Sequence, residues 1–234
     1  MGLLSSASSE KNALKLQVEK MKKGKTPEQK QVIDFFFDMG KDGCGCGGCL
    51  SKKEETMTID QYLALVQRMC DSLNLRQKAI EKIGLDESEI QEIEPIALSS
   101  FYYDDDALIK IENSLAVSSQ YAVTWIFFSA TQMYTYKFIF DTSSDNTWEF
   151  TNDFFYTDIT CLSTRREVRE KIDTYLLKGC FSSGEDFVKN NYVVDTFEIV
   201  VPGTSYKFSM RNGEHFERSI QAAKSMLREK KFTK

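Results

Sequence analysis

The chain has 234 residues, of which 41% are hydrophobic and 28% charged, so it can bury one sizeable core, or a small domain beside a medium one, and gross disorder is disfavoured. Its net charge of −5 argues against a general nucleic-acid-binding protein. The opening Met1-Gly-Leu-Leu lacks the basic segment and the apolar run of a secretory signal. We therefore expect a cytoplasmic protein with reduced thiols.

Residues 1–25 are predicted to form a basic, flexible arm, or a frayed helix. The start of the arm also matches the N-myristoylation pattern M-G-x-x-x-[ST] through Gly2 and Ser6. An acyl chain next to a lysine-rich segment would supply the two signals that stable membrane anchoring requires. A peripheral, lipid-binding membrane protein is therefore one alternative function.

Residues 26–95 are predicted to form a helical region that contains few aromatic residues. One helix begins in "TPEQKQVIDFFFDMG", where Thr26 and Gln29 have the spacing of a capping box. A second helix begins in "TIDQYLALVQRMCDSL", where Thr58 and Gln61 repeat that spacing. Apolar residues in both segments recur at helical intervals, which predicts one buried face on each helix.

A cysteine-rich loop, "DGCGCGGCL" at residues 42–50, joins these two helices and contains three cysteines and four glycines. Thiolates are good ligands for zinc, which prefers four ligands in tetrahedral geometry, and glycines allow the backbone to fold around an ion. A redox-active C-x-x-C unit and an inert inter-helix loop are the alternatives. The candidate zinc ligands are Cys44, Cys46 and Cys49, completed by Cys70, by Asp42 or by a second subunit.

No catalytic constellation is visible elsewhere, and we predict a non-enzymatic protein. The only histidine, His215, is expected to be an ordinary surface residue, because no nucleophile lies near it in the sequence. Cys161 is expected to be a small core residue of a strand. The acidic run Asp104-Asp105-Asp106 could bind a divalent cation, but it is more typical of a solvated turn.

After Pro95 the apolar residues alternate with a period of two, which predicts an antiparallel sheet. The predicted strands are "ALIKIENS", "YAVTWIFFS", "MYTYKFIFD", "TWEFT", "FFYTDITCLS", "NYVVDTFEIVV" and "SYKFSM". One segment with apolar residues at helical spacing, including Val168 and Ile172, predicts a helical insertion at about residues 165–178. A final helix is predicted to bury the face that carries Phe216, Ile220, Ala223 and Leu227.

The segment "FFYTDITCLS" allows a more detailed prediction of side-chain direction. If it is one continuous strand, successive side chains point to opposite faces of the sheet. Ile159 should then be buried and Asp158 exposed. Phe155 should share the face of Ile159, and Tyr156 the face of Asp158.

Four segments resemble the bacterial pleckstrin-homology-like (PH-like) and GRAM-like families. They are "YAVTWIFFS", "FFYTDITCLS", the hairpin "DTFEIVVPGTSYKFSM" and the closing helix "EHFERSIQAAKSMLREKK". The resemblance covers residues 97–234 and implies an antiparallel β-barrel or sheet capped by a C-terminal helix, while residues 1–95 resemble no family that we recognise. With the helical region predicted before it, the chain is expected to belong to the α+β class. Relatives bind lipid head groups, peptides or other subunits. The loop "ENSLAVSSQ" contains no basic residue, which disfavours binding of phosphoinositides.

Together these features predict a non-enzymatic interaction or regulatory protein. Its PH-like domain would bind a protein partner, and its cysteine loop would hold zinc. Lipid binding and thiol redox chemistry are the alternative functions. The sequence does not indicate a small-molecule substrate.

Overall fold

The structure, a computed structural model, describes residues 15–37, 56–86, 94–112, 115–176, 185–211 and 214–232. The helices are α1 (15–22), α2 (Pro27–Phe37), α3 (Ile59–Ser72), α4 (Leu75–Ile83) and α5 (Glu214–Phe232). The strands are β1 (Ile96–Tyr102), β2 (Ile109–Glu112), β3 (Leu115–Ser118), β4 (Gln120–Phe128), β5 (Gln132–Asp141), β6 (Thr147–Phe155), β7 (Cys161–Leu176), β8 (Glu185–Val201) and β9 (Thr204–Met210).

Both predicted capping boxes are confirmed. The Thr26 hydroxyl accepts a hydrogen bond from the Gln29 backbone N–H at 3.2 Å, and the Gln29 side chain accepts one from the Thr26 N–H at 3.0 Å. Thr58 and Gln61 make the same reciprocal pair at 3.2 and 2.8 Å. These bonds satisfy backbone donors that the first turn of a helix otherwise leaves without partners. The starts of α2 and α3 are therefore determined by local sequence.

The strands form three antiparallel sheets. The largest has the order β1-β4-β5-β6, the second pairs β2 with β3, and the third has the order β7-β8-β9. The α+β class is confirmed, but within the described residues the strands do not close into a barrel. Two of the strands, β1 and β3, were not predicted. The polar pair Ser99-Ser100 interrupts the apolar alternation of β1, and β3 is only four residues long.

Apolar side chains cover both faces of the four-stranded sheet. Along β4, Val123 and Phe127 point to one face, while Ile126 and Phe128 point to the other. The first, called here the helix-side face, packs against α2, α3 and α4. The second, called the inner face, packs against the three-stranded sheet and α5. One sheet therefore contributes to two apolar cores.

Helix α5 buries the predicted face. Ile220, Ala223 and Leu227 are buried in the inner-face core, together with Met226. The side chain of Phe216 lies outside the described part of the chain. None of the helices in the described residues is long and apolar enough to cross a membrane.

The predicted helix at residues 165–178 is wrong where the structure describes it. Residues 161–176 are strand β7, paired with β8 in continuous register from Cys161↔Val200 to Leu176↔Glu185. Apolar residues four positions apart, such as Val168 and Ile172, lie on one face of a helix but also on one face of a strand, because four is a multiple of two. The long-range pairing with β8 decides between them.

The prediction of one strand over residues 154–163 is also wrong. Strand β6 ends at Phe155, and a turn at residues 156–158 separates it from β7. Ile159 is buried and Asp158 exposed, as predicted, but Tyr156 is buried and Phe155 exposed. The turn changes the alternation, and it directs the Tyr156 hydroxyl to the Ser129 carbonyl at 2.8 Å.

Candidate functional site

Strand β6 forms an edge of the four-stranded sheet. Among the described residues it pairs with β5 alone, from Gln132↔Phe155 to Phe140↔Thr147. The second side of an edge strand presents backbone N–H and C=O groups that another extended segment can bind. Proteins usually protect such an edge by shortening it or by placing charges on it. At nine residues, β6 is longer than a typical strand.

Two aromatic side chains on β6 are exposed next to each other. Trp148 is 37% and Phe150 is 48% exposed, and the intervening Glu149 puts them on the same face of the sheet. They pair with Ile139 and Lys137 of β5, which places them on the inner face. We call Trp148 and Phe150 the β6 aromatic pair. It is an apolar surface beside an edge whose outer backbone groups are not paired within the described residues.

Lys137 adds a positive charge behind this pair. Its Nζ lies 4.3 Å from the ring centre of Tyr102 and 5.9 Å from that of Phe150, so aromatic faces supply much of its surroundings. Burial lowers the pKa of Lys137, and the Asp104 carboxylate partly opposes this effect. No carboxylate within the described residues lies at salt-bridge distance from Lys137. Its charge therefore remains available to a group that approaches the inner face.

A buried hydroxyl lies directly across from Lys137. Thr124 of β4 pairs with Lys137 in the sheet and shares its face. Thr124 Oγ1 is buried and has no hydrogen-bond partner among the described residues. An unsatisfied buried hydroxyl costs free energy, so this position favours a water molecule or another polar group nearby.

The opposite face of β6 is occupied by α4. Glu149 accepts a hydrogen bond from the Tyr136 hydroxyl at 3.0 Å and forms ion pairs with Lys78 at 2.5 Å and Lys82 at 3.2 Å. These contacts lower the pKa of Glu149 to about 2, and the hydrogen bond from Lys78 has the largest effect. Burial acts in the opposite direction and raises the pKa. They attach the edge strand to the helical region, while the aromatic pair on the inner face remains exposed.

The predicted zinc ligands are only partly described. Cys44, Cys46, Cys49 and Asp42 lie outside the described residues. Cys70, the candidate fourth ligand, is half-buried on α3, and burial raises the pKa of its thiol to about 12. Zinc binds the thiolate, so binding at Cys70 would have to overcome this shift. No group of three metal-ligating side chains occurs within the described residues, and zinc binding by the loop stays a prediction.

The remaining candidate residues have different outcomes. Cys161 is exposed at the start of β7, so its predicted place in the core is wrong. The first strand residue after a turn need not follow the burial pattern of the strand interior. Asp104, Asp105 and Asp106 form an exposed turn, which confirms that prediction. The side chain of His215 is outside the described part of the structure.

Comparison with protein-family models, with curated proteins and with solved structures gives no significant match to this chain.

The sequence analysis missed the β6 aromatic pair. The alternation in "TWEFT" predicts that Trp148 and Phe150 point to a buried face, since apolar residues of a half-buried strand usually do. The two side chains are exposed because β6 is an edge strand. Whether a strand lies at an edge depends on the order of strands in the sheet, which local sequence does not show. Lys137 in the middle of "MYTYKFIFD" was the one available signal, because a charged residue in an apolar strand indicates an incompletely covered face.

Proposed function

We propose that this chain is a non-enzymatic interaction protein that binds an extended segment of a partner protein along β6. The observation that carries the proposal is the edge position of β6 beside the exposed pair Trp148 and Phe150. In such binding, the added segment makes main-chain hydrogen bonds with the edge strand, and side chains on alternate positions provide specificity. A segment with apolar residues facing the aromatic pair fits this surface best.

The order of the elements supports a PH-like scaffold for this function. A four-stranded sheet formed by β1, β4, β5 and β6 precedes the three-stranded sheet β7-β8-β9, and the amphipathic helix α5 follows. The hairpin of β2 and β3 is an addition between the first two strands of the larger sheet. We propose this assignment from the order of strands and from the resemblance in sequence.

The charges on β6 disfavour one mode of pairing with a second copy of this chain. Antiparallel pairing of two β6 strands about Thr151 would put Glu149 opposite Asp153 of the other copy. Like charges directly opposite each other destabilise a sheet. Lys137, behind Phe150, favours a partner segment with acidic residues near its apolar positions.

Selection from a random peptide library on the immobilised chain tests this function. We expect selected peptides to carry alternating apolar residues and to bind at least about tenfold more weakly to a Trp148→Ser, Phe150→Ser variant. The matched control is Val168→Ser, Val193→Ser, which removes a cross-strand pair of the long β7–β8 hairpin that is 67% and 51% exposed. Amide hydrogen exchange should slow in β6 when the peptide binds.

Two results would contradict the proposal. One is equal affinity of the selected peptides for the wild type and the β6 variant. The other is protection from exchange at strands other than β6. A Lys137→Met variant should bind the same peptides with a weaker dependence on salt, since it removes a charge near the interface.

We further propose that the loop at residues 42–50 binds zinc through Cys44, Cys46 and Cys49, with Cys70, Asp42 or a second subunit as the fourth ligand. The support is the C-x-C-x-x-C spacing among glycines. Elemental analysis of protein purified without chelator should give about one zinc per chain, and a triple Cys→Ser variant should give none. Less than about a tenth of an equivalent in the wild type, with three freely alkylated thiols, would favour an inert loop.

A further inference from the structure

A cleft of about 150 Å³ lies where α3 meets β1 and β4, and it is independent of the β6 surface. Three of its lining residues are apolar, namely Leu63 and Val66 of α3 and Phe101 of β1. Val66 and Phe101 are buried in the helix-side core. A cavity of this size in another protein accommodates one benzene molecule, so the cleft has room for a body of about six carbons.

The polar side chains of the cleft come from three different elements. Gln67 lies on α3, Tyr121 on β4, and Arg211 directly after β9. The Gln67 Nε2 donates to Asp71 Oδ1 at 2.8 Å, which leaves the second N–H and the Oε1 of Gln67 for other partners. The Tyr121 hydroxyl donates to Ser99 Oγ at 3.3 Å, and burial is the main reason that its pKa is raised, so the phenol is neutral.

Among the described residues, Arg211 is the only charged one that lines the cleft. Within the described residues no carboxylate lies at salt-bridge distance from its guanidinium. Asp71, the acidic residue bonded to Gln67, does not line the cleft. The nearby Cys70 thiol is neutral because burial raises its pKa to about 12. The cleft therefore combines an apolar wall with one uncompensated positive charge.

We propose that this cleft binds a small monocarboxylate with an apolar body of about six carbons, such as an aromatic or a short branched acid. The guanidinium of Arg211 would hold the carboxylate through two parallel N–H···O bonds, a geometry that arginine provides and lysine does not. The apolar body would contact Leu63, Val66 and Phe101. A single positive charge matches a carboxylate better than a doubly charged phosphate.

Titration with 4-fluorobenzoate, followed by ¹⁹F NMR, tests the proposal on the full-length chain. We expect a dissociation constant of about 1 mM or below, consistent with the affinity that small ligands reach per atom. 4-Fluorobenzamide, which has the same body without the charge, should bind at least about tenfold more weakly. Phenyl phosphate should also bind more weakly than 4-fluorobenzoate.

Three variants locate the site. Arg211→Met should weaken binding of 4-fluorobenzoate at least about tenfold, because it retains an apolar stem and removes the charge. Leu63→Trp, on the apolar wall of the cleft, should weaken both the acid and the amide by filling space. Arg68→Met is the matched control, since Arg68 is an exposed cation next to Gln67 on α3 that pairs with Glu28 and does not line the cleft. It should bind like the wild type.

The proposal is overturned by any of three results. The first is a dissociation constant above 10 mM for 4-fluorobenzoate (about 3 kcal/mol of affinity). The second is equal affinity for the acid and the amide. The third is an equal loss of affinity for the acid in the Arg68→Met and Arg211→Met variants. Thermal midpoints of all variants, measured without ligand, separate loss of the site from loss of the fold. Peptide binding at β6 should be unchanged in Arg211→Met, so this proposal and the proposed function can fail separately.

Discussion

At the scale of single residues, two buried polar side chains attach the helices to the sheets. The Tyr62 hydroxyl donates to the Ser118 carbonyl at 2.6 Å and lies 3.0 Å from Thr142 Oγ1. Lys110 Nζ donates to the Phe35 carbonyl at 2.8 Å, with its ammonium 4.3 Å from the centre of the Phe35 ring. Both bonds cross from a helix to strands far away in sequence, and they occur where water is excluded. Such bonds are costly to break, because the remaining partner stays buried.

Replacing Tyr62 with Phe should lower the free energy of unfolding by about 1–3 kcal/mol, because the Ser118 carbonyl loses its buried donor. Urea unfolding followed by circular dichroism measures this loss. Tyr134→Phe is the matched control, since the Tyr134 hydroxyl has no hydrogen bond within the described residues, and its effect should be below about 0.5 kcal/mol. Equal effects of the two substitutions would mean that the Tyr62 bond does not contribute to stability.

Glu149 should make stability depend on pH in the acid range. Its pKa is lowered from the ordinary 4.5 to about 2 by Lys78, Tyr136 and Lys82, so its contribution is fully present above about pH 4.5. That contribution, about 1 kcal/mol for a partly exposed network, is lost as the pH falls through about 2. Glu149→Gln keeps an acceptor for Tyr136 and removes the charge. The difference in thermal midpoint between wild type and variant should shrink between pH 5 and pH 2, and a constant difference would contradict the assignment.

At the scale of elements, α5 and the β7–β8 hairpin use their apolar residues differently. Helix α5 buries Ile220 and Ala223 against the inner face of the four-stranded sheet and the three-stranded sheet. The hairpin leaves Val168 and Val193 exposed opposite each other, while Arg169 of β7 donates to the Tyr103 carbonyl at 3.2 Å. The helix therefore contributes to stability mainly through burial. The base of the hairpin also buries Leu162, Phe197 and Ile199 in the inner-face core, whereas its outer part depends on strand pairing and on polar contacts to the loop after β1.

Ile220→Asp should destabilise the chain by several kcal/mol, because it buries an unpaired charge in the inner-face core. Ala222→Asp, two positions away on the exposed side of α5, keeps the same change of charge and should cost less than about 1 kcal/mol. Thermal unfolding of both variants gives the comparison. An unchanged midpoint for Ile220→Asp would show that α5 does not pack as described.

At the scale of the whole molecule, the two apolar cores share the four-stranded sheet. Phe127 belongs to the helix-side core and its neighbour Phe128 to the inner-face core, so β4 connects both, and β1 and β5 also contribute residues to each core. Loss of either core would expose one face of β4 and β5. The helical region and the sheets should therefore unfold together.

Urea unfolding of a Trp148→Phe variant tests this coupling, because Trp125 is then the only tryptophan and it packs against the helix-side core. Fluorescence of Trp125 and far-ultraviolet circular dichroism should give the same midpoint within error. A fluorescence transition at clearly lower urea would instead show that the helical region separates from the sheet before the strands unfold.

Features that depend on neighbouring residues could be predicted from the sequence. The capping boxes at Thr26 and Thr58 join residues three positions apart, and the alternation that defines β4 and β5 is visible over nine or ten residues. The apolar residues on the buried face of α5 recur every three or four positions, so they are also visible in the local sequence. Each of these signals lies within a segment about as long as the element that it predicts.

Features that depend on strand order and long-range pairing needed the tertiary structure. Residues 165–176 fit a helix or a strand equally well by spacing, and only pairing with β8 makes them a strand. Trp148 and Phe150 have the pattern of buried residues and are exposed because β6 is an edge. Arg211 becomes a candidate ligand-binding residue because the end of β9 lies beside α3. Local sequence therefore determined the helix starts, the strands β4 and β5 and the apolar face of α5, whereas contacts between distant segments decided that β7 is a strand and which apolar surfaces remain open for binding.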